Sequence, residues 1–543
     1  MKKRGTLALA SLVLCGSINA QDIYKVETFA GSDLNGTARY VGMGGAMNAL
    51  GADLSTMGTN PAAIGLYRRN DIAISGGAVI QPNGFEFGDI NKARASFDQA
   101  GFVYACKMNG SSLKFVNFGF NYQKRRNLMN TISLTDIATE GGMSQSWQMR
   151  DLARLGGMDA PWLDLSPNKE DSYLTTPLTV IGYDTHMIAP VYDEKGKIVD
   201  YEASNAERYN YRRAQWGGIH QFDLNTSFNF GHQIYAGVTL GIYHADIHNL
   251  TYYNELLRDG EGHTDTYEMA NTESLTGSGF DLKFGVILRP IEESPFRIGF
   301  SVSTPMFMSL TQNSYLKMRS PYDFTDSDGN TFDNTEQDIE IGDFDYRIHT
   351  PWKFNLSMAT TVGHFLAVDA EYEVSTTTSS QVRYPDNDYY YGNSFSSEKD
   401  VAMSDEIKNH MQAVHSFRIG AEAMVSKGVY ARMGYNYVSS PFKDGAYLNQ
   451  FTNSPSYAYS TNTDYVNLGD THRITAGLGV RGKHFYADVA YQYQKQEGDV
   501  HAFDGGHNPN LERELKDDTT YLLRGQKADL NRHNVLFTVG YKF

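Results

Sequence analysis

The sequence predicts an all-β protein: a transmembrane, up-and-down antiparallel β-barrel of about 14 strands, with a small N-terminal hatch inside its lumen. Three observations lead there. Segment after segment alternates apolar and polar residues with period 2, the connections alternate between very short and long, and the chain opens on an export signal.

The export signal comes first in the chain. Lys2, Lys3 and Arg4 precede an apolar stretch from Leu7 to Leu14, and Ile18-Asn19-Ala20 stand before Gln21. The stretch is too short to span a bilayer and Ala20 suits a signal peptidase, so residues 1–20 are expected to be removed. Leu14 is large where a lipoprotein signal needs a small residue before its cysteine, which argues against a lipid on Cys15. Loss of Cys15 leaves Cys106 alone, so no intramolecular disulfide is expected and Cys106 reads as a small apolar wall residue.

Residues 21–69 are expected to form the hatch. Gly36-Thr37-Ala38-Arg39-Tyr40-Val41-Gly42-Met43-Gly44-Gly45-Ala46, followed by Thr59-Asn60-Pro61-Ala62-Ala63-Ile64-Gly65, is too rich in glycine for a stable helix and too small-sided for a core strand. Pro61 fixes its own φ and pushes Asn60 out of the helical region, while Gly42, Gly44 and Gly45 would let backbone approach a wall closely.

Residues 70–543 carry the barrel. Strands are expected near 70–80, 98–108, 112–125, 215–230, 232–253, 276–290, 295–312, 344–361, 363–378, 411–426, 428–440, 468–482, 483–497 and 531–543, and the long segment Arg126 to Ala214 has room for a further hairpin. In one of them Phe280, Leu282, Phe284, Val286 and Leu288 oppose Asp281, Lys283 and Arg289; in another Ile474, Ala476, Leu478 and Val480 oppose Arg473, Thr475, Gly477, Gly479 and Arg481. A soluble sandwich would turn its charges outward, whereas a membrane barrel turns them into the lumen. The connections favour the barrel. Asn109-Gly110, Gly231-His232, Gly363-His364, Ser426-Lys427-Gly428 and Gly482-Lys483 are tight links, and those between them are long and polar. A strict alternation of this kind puts all the long loops on one rim.

Composition fits. Tyr and Phe number 36 and 29, and 51 Gly are spread along the chain against 15 Pro, as in many strands joined by turns. Mean hydropathy is −0.45 and no apolar run near 20 residues follows the signal, which excludes a helical membrane protein but not a barrel. The net charge of −16 argues against nucleic acid as a partner. The chain ends on Phe543 with Tyr541 two residues before it, a pattern like the C-terminal strand signal read by the barrel-assembly machinery.

The stretch Thr37 to Ala46, the spacer with Asp53 and Ser55, and Asn60-Pro61-Ala62 resemble the N-terminal hatch of the FadL family of outer-membrane transporters. The likeness continues in Gly277-Ser278-Gly279-Phe280 to Pro290, in Arg297-Ile298-Gly299-Phe300, and in Thr350-Pro351-Trp352 followed by Asp369. The resemblance implies a 14-stranded barrel with an N-terminal domain in its lumen. A ligand would be captured in a hydrophobic pocket, released by shifts in the hatch and passed sideways through a gap in the wall. The expected function is passive, hatch-gated transport of hydrophobic compounds such as long-chain fatty acids by a monomer in the outer membrane of a Gram-negative bacterium, in contact with outer-membrane lipid. The alternatives are a secretion role like that of the PorV type, a structural role, or a general porin.

Other motifs are weaker. Gly42-Met43-Gly44-Gly45 lacks the spacing and preceding strand of a nucleotide loop. Asp326-Ser327-Asp328-Gly329-Asn330 opens like a calcium loop, but Gln337 stands where its closing Glu would be, so an exposed acidic loop is expected. His244 and His248 have no third ligand in sequence reach, and no metal or cofactor is expected. Arg418, Glu422, Arg432, Asp369 and Glu371 could be posed as an acid–base group, but inward charges in a barrel more often support plug and pore, so no catalytic residue and no enzyme activity are expected. No ligand-binding residue is assigned.

Overall fold

Period-2 alternation produces fourteen strands that close on themselves. The computed structural model describes residues 23–87, 90–110, 112–157, 159–162, 175–258, 264–325, 331–332, 335–385, 396–449, 459–503 and 523–543; the expected signal peptide and the acidic stretch 326–330 lie outside them. Around the barrel the strands are β1 Asp71–Ile80, β2 Ala93–Lys107, β3 Leu113–Asn127 continuing as Asn130–Ala138, β4 Asn205–Phe230, β5 Ile234–Arg258 and β6 Thr264–Leu288. There follow β7 Arg297–Ser303 with Phe307–Arg319, β8 Glu336–His349 with Lys353–Val362, and β9 Leu366–Ser375 with Gln381–Pro385. The circuit ends with β10 Val414–Ser426, β11 Val429–Val438, β12 Tyr465–Arg481, β13 Phe485–His501 and β14 Gln526–Asp529 with Arg532–Lys542. Every neighbouring pair is antiparallel, and β14 returns to β1 from Asp71↔Lys542 to Ile80↔His533, which leaves no free edge.

The faces fall as the alternation requires. Phe280 and Phe284 of β6 are 52% and 48% exposed on the outside, while Asp281 and Lys283 between them are 3% and 1% exposed inside. An apolar outer face around a polar lumen is the arrangement of a membrane-spanning barrel. No helix among the described residues is long and apolar enough to cross a membrane.

Several strands run further than the sequence pattern indicates. β4, β5 and β6 have 26, 25 and 25 residues and begin or end well into segments expected as loop. The reason is physical: beyond the membrane a strand keeps its backbone ladder but has no lipid to face, so the apolar alternation that marks it stops early. The segment between β3 and β4 does hold a hairpin, Ile188–Tyr192 with Ile198–Ala203, but in a sheet of its own outside the barrel. With α3 Gln145–Leu155 and α4 Pro177–Asp184 it packs as an apolar layer against Tyr209, Tyr211, Tyr253 and Tyr267 at the long-loop rim.

Two features of the wall bear on function. β7 and β8 break opposite each other, at Thr304-Pro305-Met306 and Thr350-Pro351-Trp352, and β9 breaks beside them between Ser375 and Gln381. Proline has no N–H to give a ladder, so two facing prolines leave a seam held by little more than Thr350 N to Met306 O (3.1 Å) and Met306 N to Thr350 Oγ1 (2.8 Å). Nearer the long-loop rim, on the outer face, four tyrosine–histidine hydrogen bonds repeat across pairs of strands: Tyr122–His220, Tyr372–His415, Tyr435–His472 and Tyr491–His533, at 2.6–2.8 Å. Each histidine stands about ten residues from the short-turn end of its strand, the length a tilted strand needs to cross a bilayer. The belt marks the far edge of the apolar band, where amphipathic rings are at home.

Candidate functional site: a lumenal plug and the chamber beside it

Residues 23–67 lie inside the barrel as two short helices, α1 Ile23–Ala30 and α2 Ala38–Gly42, followed by single-turn helices at Leu54–Gly58 and Pro61–Leu66. The segment is tied to itself first. Thr37 caps α2 and donates its hydroxyl to Asp53 (2.8 and 2.9 Å), Ser55 N donates to Asp53 Oδ1 (3.0 Å), and Thr37 N donates to Ser55 Oγ (2.8 Å). All three side chains are buried.

The wall receives this knot in two glycine-lined seats. Gly44, at φ +65°, lies against Gly434 of β11, where a Cβ on Gly434 would collide with Gly44 N and with the Met43 carbonyl carbon. Gly420 of β10 is covered by Met43 in the same way, and a Cβ on Gly42 would come within 3.3 Å of Gly477 Cα on β12. Gly45, at φ +81°, faces Leu34 within the plug. The second seat takes Asn60-Pro61-Ala62. Asn60 is fully buried and caps the last turn, its Oδ1 accepting from Ala62 N (3.1 Å) and its Nδ2 donating to Asn48 O (3.2 Å). Gly237 of β5, Gly285 of β6 and Gly299 of β7 line this seat; a Cβ on Gly237 would stand 2.5 Å from the Pro61 carbonyl. The two sets of residues singled out in the sequence thus belong to one body but touch different sectors of the barrel. Tyr541 and Phe543 are far from both, stacked on each other at 5.8 Å at the end of β14, with Phe543 exchanging backbone hydrogen bonds with Asn70.

Of the five inward charges, Asp369, Glu371 and Glu422 bond the plug, and Arg418 and Arg432 brace those carboxylates from the wall. Glu371 Oε1 accepts from Met47 N and Asn48 N (2.7 Å each), and neighbouring Asp369 accepts from Ala49 N (3.1 Å) and Leu50 N (2.8 Å), so two wall carboxylates cap one plug turn. Arg39 grips Glu422 with both prongs (2.8 and 2.9 Å). Glu422 also holds Arg432 (2.6 Å), which reaches Asp488 (2.6 Å), and Arg418 binds Glu371 and Glu373 (3.2 and 3.3 Å). Each group is taken up by hydrogen bonds to plug or wall, which is the structural role their inward position suggested. The backbone acceptors and donors that complete the seat, such as Asn117 Nδ2 on Ile64 O (2.7 Å) and Thr475 Oγ1 on Gly42 O (3.1 Å), carry no motif that would announce them. Among the described residues no cluster of three or more His, Cys, Asp or Glu could hold a metal ion.

Beside the plug is a chamber of about 250 Å³, crossed by α1 and the turn after it, and reaching the wall at the proline seam through Thr304, Met306, Thr350 and Pro351. Its walls are mixed: Gln123, Gln215, Asn436, Gln494 and Gln496 stand among apolar side chains such as Leu34, Leu128, Val438 and Leu468. Several of its cations are matched: Arg126 by Glu27 (2.8 Å), Lys283 by Asp281 (2.7 Å) and Asp223 (3.2 Å), Arg213 by Asp464 (3.2 Å). The family resemblance implies a hydrophobic pocket, and this chamber, with its many charged and amide side chains, is not a purely hydrophobic one. An apolar layer lies next to it and is filled by the chain itself: Val26 and Phe29 of α1 pack with Met403 and Ile407 of α5 (Val401–His410), Met411, and Met306, Met308 and Leu310 of β7.

No family model and no curated protein matches the sequence. Among solved structures it is similar to a Pseudomonas aeruginosa FadL homologue, with 12% identity, 94% of this chain and 99% of that chain covered, and a TM-score of 0.49. It is also similar to the Pseudomonas putida toluene transporter TodX (11%, 94% and 99%, TM-score 0.46) and the Ralstonia pickettii toluene transporter TbuX (11%, 94% and 99%, TM-score 0.44). A barrel closed by fourteen antiparallel strands, with the N-terminal segment seated in its lumen, is the fold that the resemblance to the FadL family implies.

Proposed function

We propose that the protein is an outer-membrane channel of a Gram-negative bacterium that passes hydrophobic compounds, long-chain fatty acids being one such class, with the N-terminal plug as its gate. The observation that carries this reading is the adjacency of the methionine-rich layer to the proline seam. Met306 belongs to both. Methionine is unbranched and polarisable, so a layer built on Met306, Met308, Met403 and Met411 can repack around an apolar guest. A seam with so few ladder hydrogen bonds is where adjacent strands separate at least cost, and it opens toward the surrounding lipid. In this reading a compound displaces some of the α1–α5 packing, the plug yields in its seats, and the compound leaves between β7 and β8. The chain works as a monomer, and the C-terminal strand ending in Tyr541 and Phe543 directs its insertion by the barrel-assembly machinery. The lumen charges serve the plug, so no catalytic step is assigned.

The flanking pairs Ser303↔Lys353 and Phe307↔His349 place Thr304 opposite Trp352 across the seam. In a C106S background, oxidising a T304C/W352C pair is expected to abolish uptake of a labelled fatty acid by proteoliposomes, with recovery on reduction. Uptake that is indifferent to the bridge would rule out exit at the seam. The proline of the second seat is a further probe. Pro61→Ala frees φ at a buried turn, and a several-fold fall in uptake is expected with the folded barrel intact by its gel shift on heating; unchanged uptake would reduce Asn60-Pro61-Ala62 to a static turn.

A further inference from the structure

Among the described residues, four cations of the chamber lack an anionic partner at short range. Arg125 on β3 lies with its guanidinium 5.5 Å above the Tyr243 ring, and its buried Nε finds no acceptor among those residues. Lys353 on β8 donates to the carbonyl of Ala30 (2.8 Å). Arg473 on β12 donates to Gln494 Oε1 and Asn436 Oδ1 (2.9 Å each), and Arg532 on β14 to Asn127 O (2.9 Å). Neutral acceptors satisfy N–H groups but leave the charge in place. Two acids of the chamber face them: Asp33 stands 4.0 Å from Arg473 and 3.9 Å from Arg532, at the limit of an ion pair, and Glu373 lies within electrostatic reach of Lys353 and Arg125. Glu373, also on the wall, is engaged by Arg418.

Charges held in a lumen walled by protein are costly unless an opposite charge is close. Four cations from four strands, converging on a chamber whose facing acids are the loosely placed Asp33 and a Glu373 shared with Arg418, make a site short of counter-charge. We infer that the chamber is an anion subsite that takes a phosphate group, as a monoester dianion. Guanidinium forks match phosphate oxygens, and the surplus exceeds what a single carboxylate would neutralise. The apolar side chains of the wall, such as Leu128 and Met306, and the methionine layer beyond them would take any apolar portion of the ligand. The inference rests on the proposed function only in treating the bound group as belonging to a cargo.

The test is equilibrium titration of the full-length protein, purified in an uncharged detergent, with dodecyl phosphate, dodecanol and inorganic phosphate. Dodecyl phosphate is expected to bind at least about tenfold more tightly than dodecanol, with an affinity that falls as salt rises. Arg125→Gln, at a side chain for which no hydrogen bond is seen among the described residues, should remove most of that advantage while Arg125→Lys keeps some of it; the gel shift on heating shows that each variant is folded. Phosphate binding as tightly as dodecyl phosphate, and equally sensitive to Arg125→Gln, would support the subsite and identify its ligand as a free anion. Equal binding of dodecyl phosphate and dodecanol, or an Arg125→Gln variant that binds dodecyl phosphate like the parent, would overturn it. Because binding is read without transport, a protein that binds the anion yet moves nothing across a bilayer would contradict the proposed function and leave the subsite standing.

Discussion

Gly434→Val is expected to unseat the plug and convert a closed barrel into a conducting one. The new side chain would occupy the space of Gly44 N and the Met43 carbonyl carbon, both backbone, and neither side can give way cheaply: Gly44 is already at φ +65° and β11 is held by its ladder to β10 and β12. Overpacking of a tight site costs about 1–3 kcal/mol, and more where only backbone could move. The wall itself loses nothing, since position 434 faces the lumen. Single-channel recording should show a large, steady conductance in the variant and brief or no openings in the parent, and protease should cut near residues 42–46 only in the variant. A silent variant with a protected plug would mean that the glycine seat is not what holds the segment in place.

Glu422→Ala is expected to be the most damaging change among the lumen charges. The carboxylate holds Arg39 of the plug and Arg432 and Arg481 of the wall, and Arg432 has no exposed side-chain surface. Removing the shared anion leaves buried guanidinium groups uncompensated, for which about 3–5 kcal/mol is typical. The loss should fall on the plug rather than on the strands, because Arg432 keeps Asp488 while Arg39 keeps only the Ala52 carbonyl (3.0 Å). Hydrogen exchange should quicken across residues 38–50 and stay slow in β10–β12; equal loosening of both would show that Glu422 supports the barrel and not the seat.

Strand positions were legible because lipid on one side and a polar lumen on the other impose an alternation that side chains such as Phe280 and Lys283 cannot hide. Strand ends were not legible: past the apolar band, as in Asn205 to Ala214 of β4, the ladder persists with no facing requirement. Pro305 and Pro351 are visible inside runs that otherwise alternate cleanly, and proline inside a run is the available sign of a weak ladder, but that the two face each other depends on register. Alternation puts the lumen-facing Gly477 on the right face, while its partner in the plug follows only from the way the N-terminal segment threads the barrel. Asp369, Glu371, Glu422, Arg418 and Arg432 were readable as supports for plug and pore, whereas the specific backbone amides that Asp369 and Glu371 cap were not. The tyrosine–histidine belt went unread because its residues pair diagonally across strands joined by long loops.

In the proposed mechanism the plug must move for a compound to pass. Ala38 N lies 2.7 Å from Thr538 Oγ1, joining α2 to β14. In a C106S background an A38C/T538C pair can be bridged with a short, reducible thiol cross-linker, and uptake of labelled fatty acid into proteoliposomes measured before bridging, after it, and after reduction. Loss of uptake on bridging and its return on reduction is the predicted result. Uptake at the same rate with the plug tethered would contradict the account.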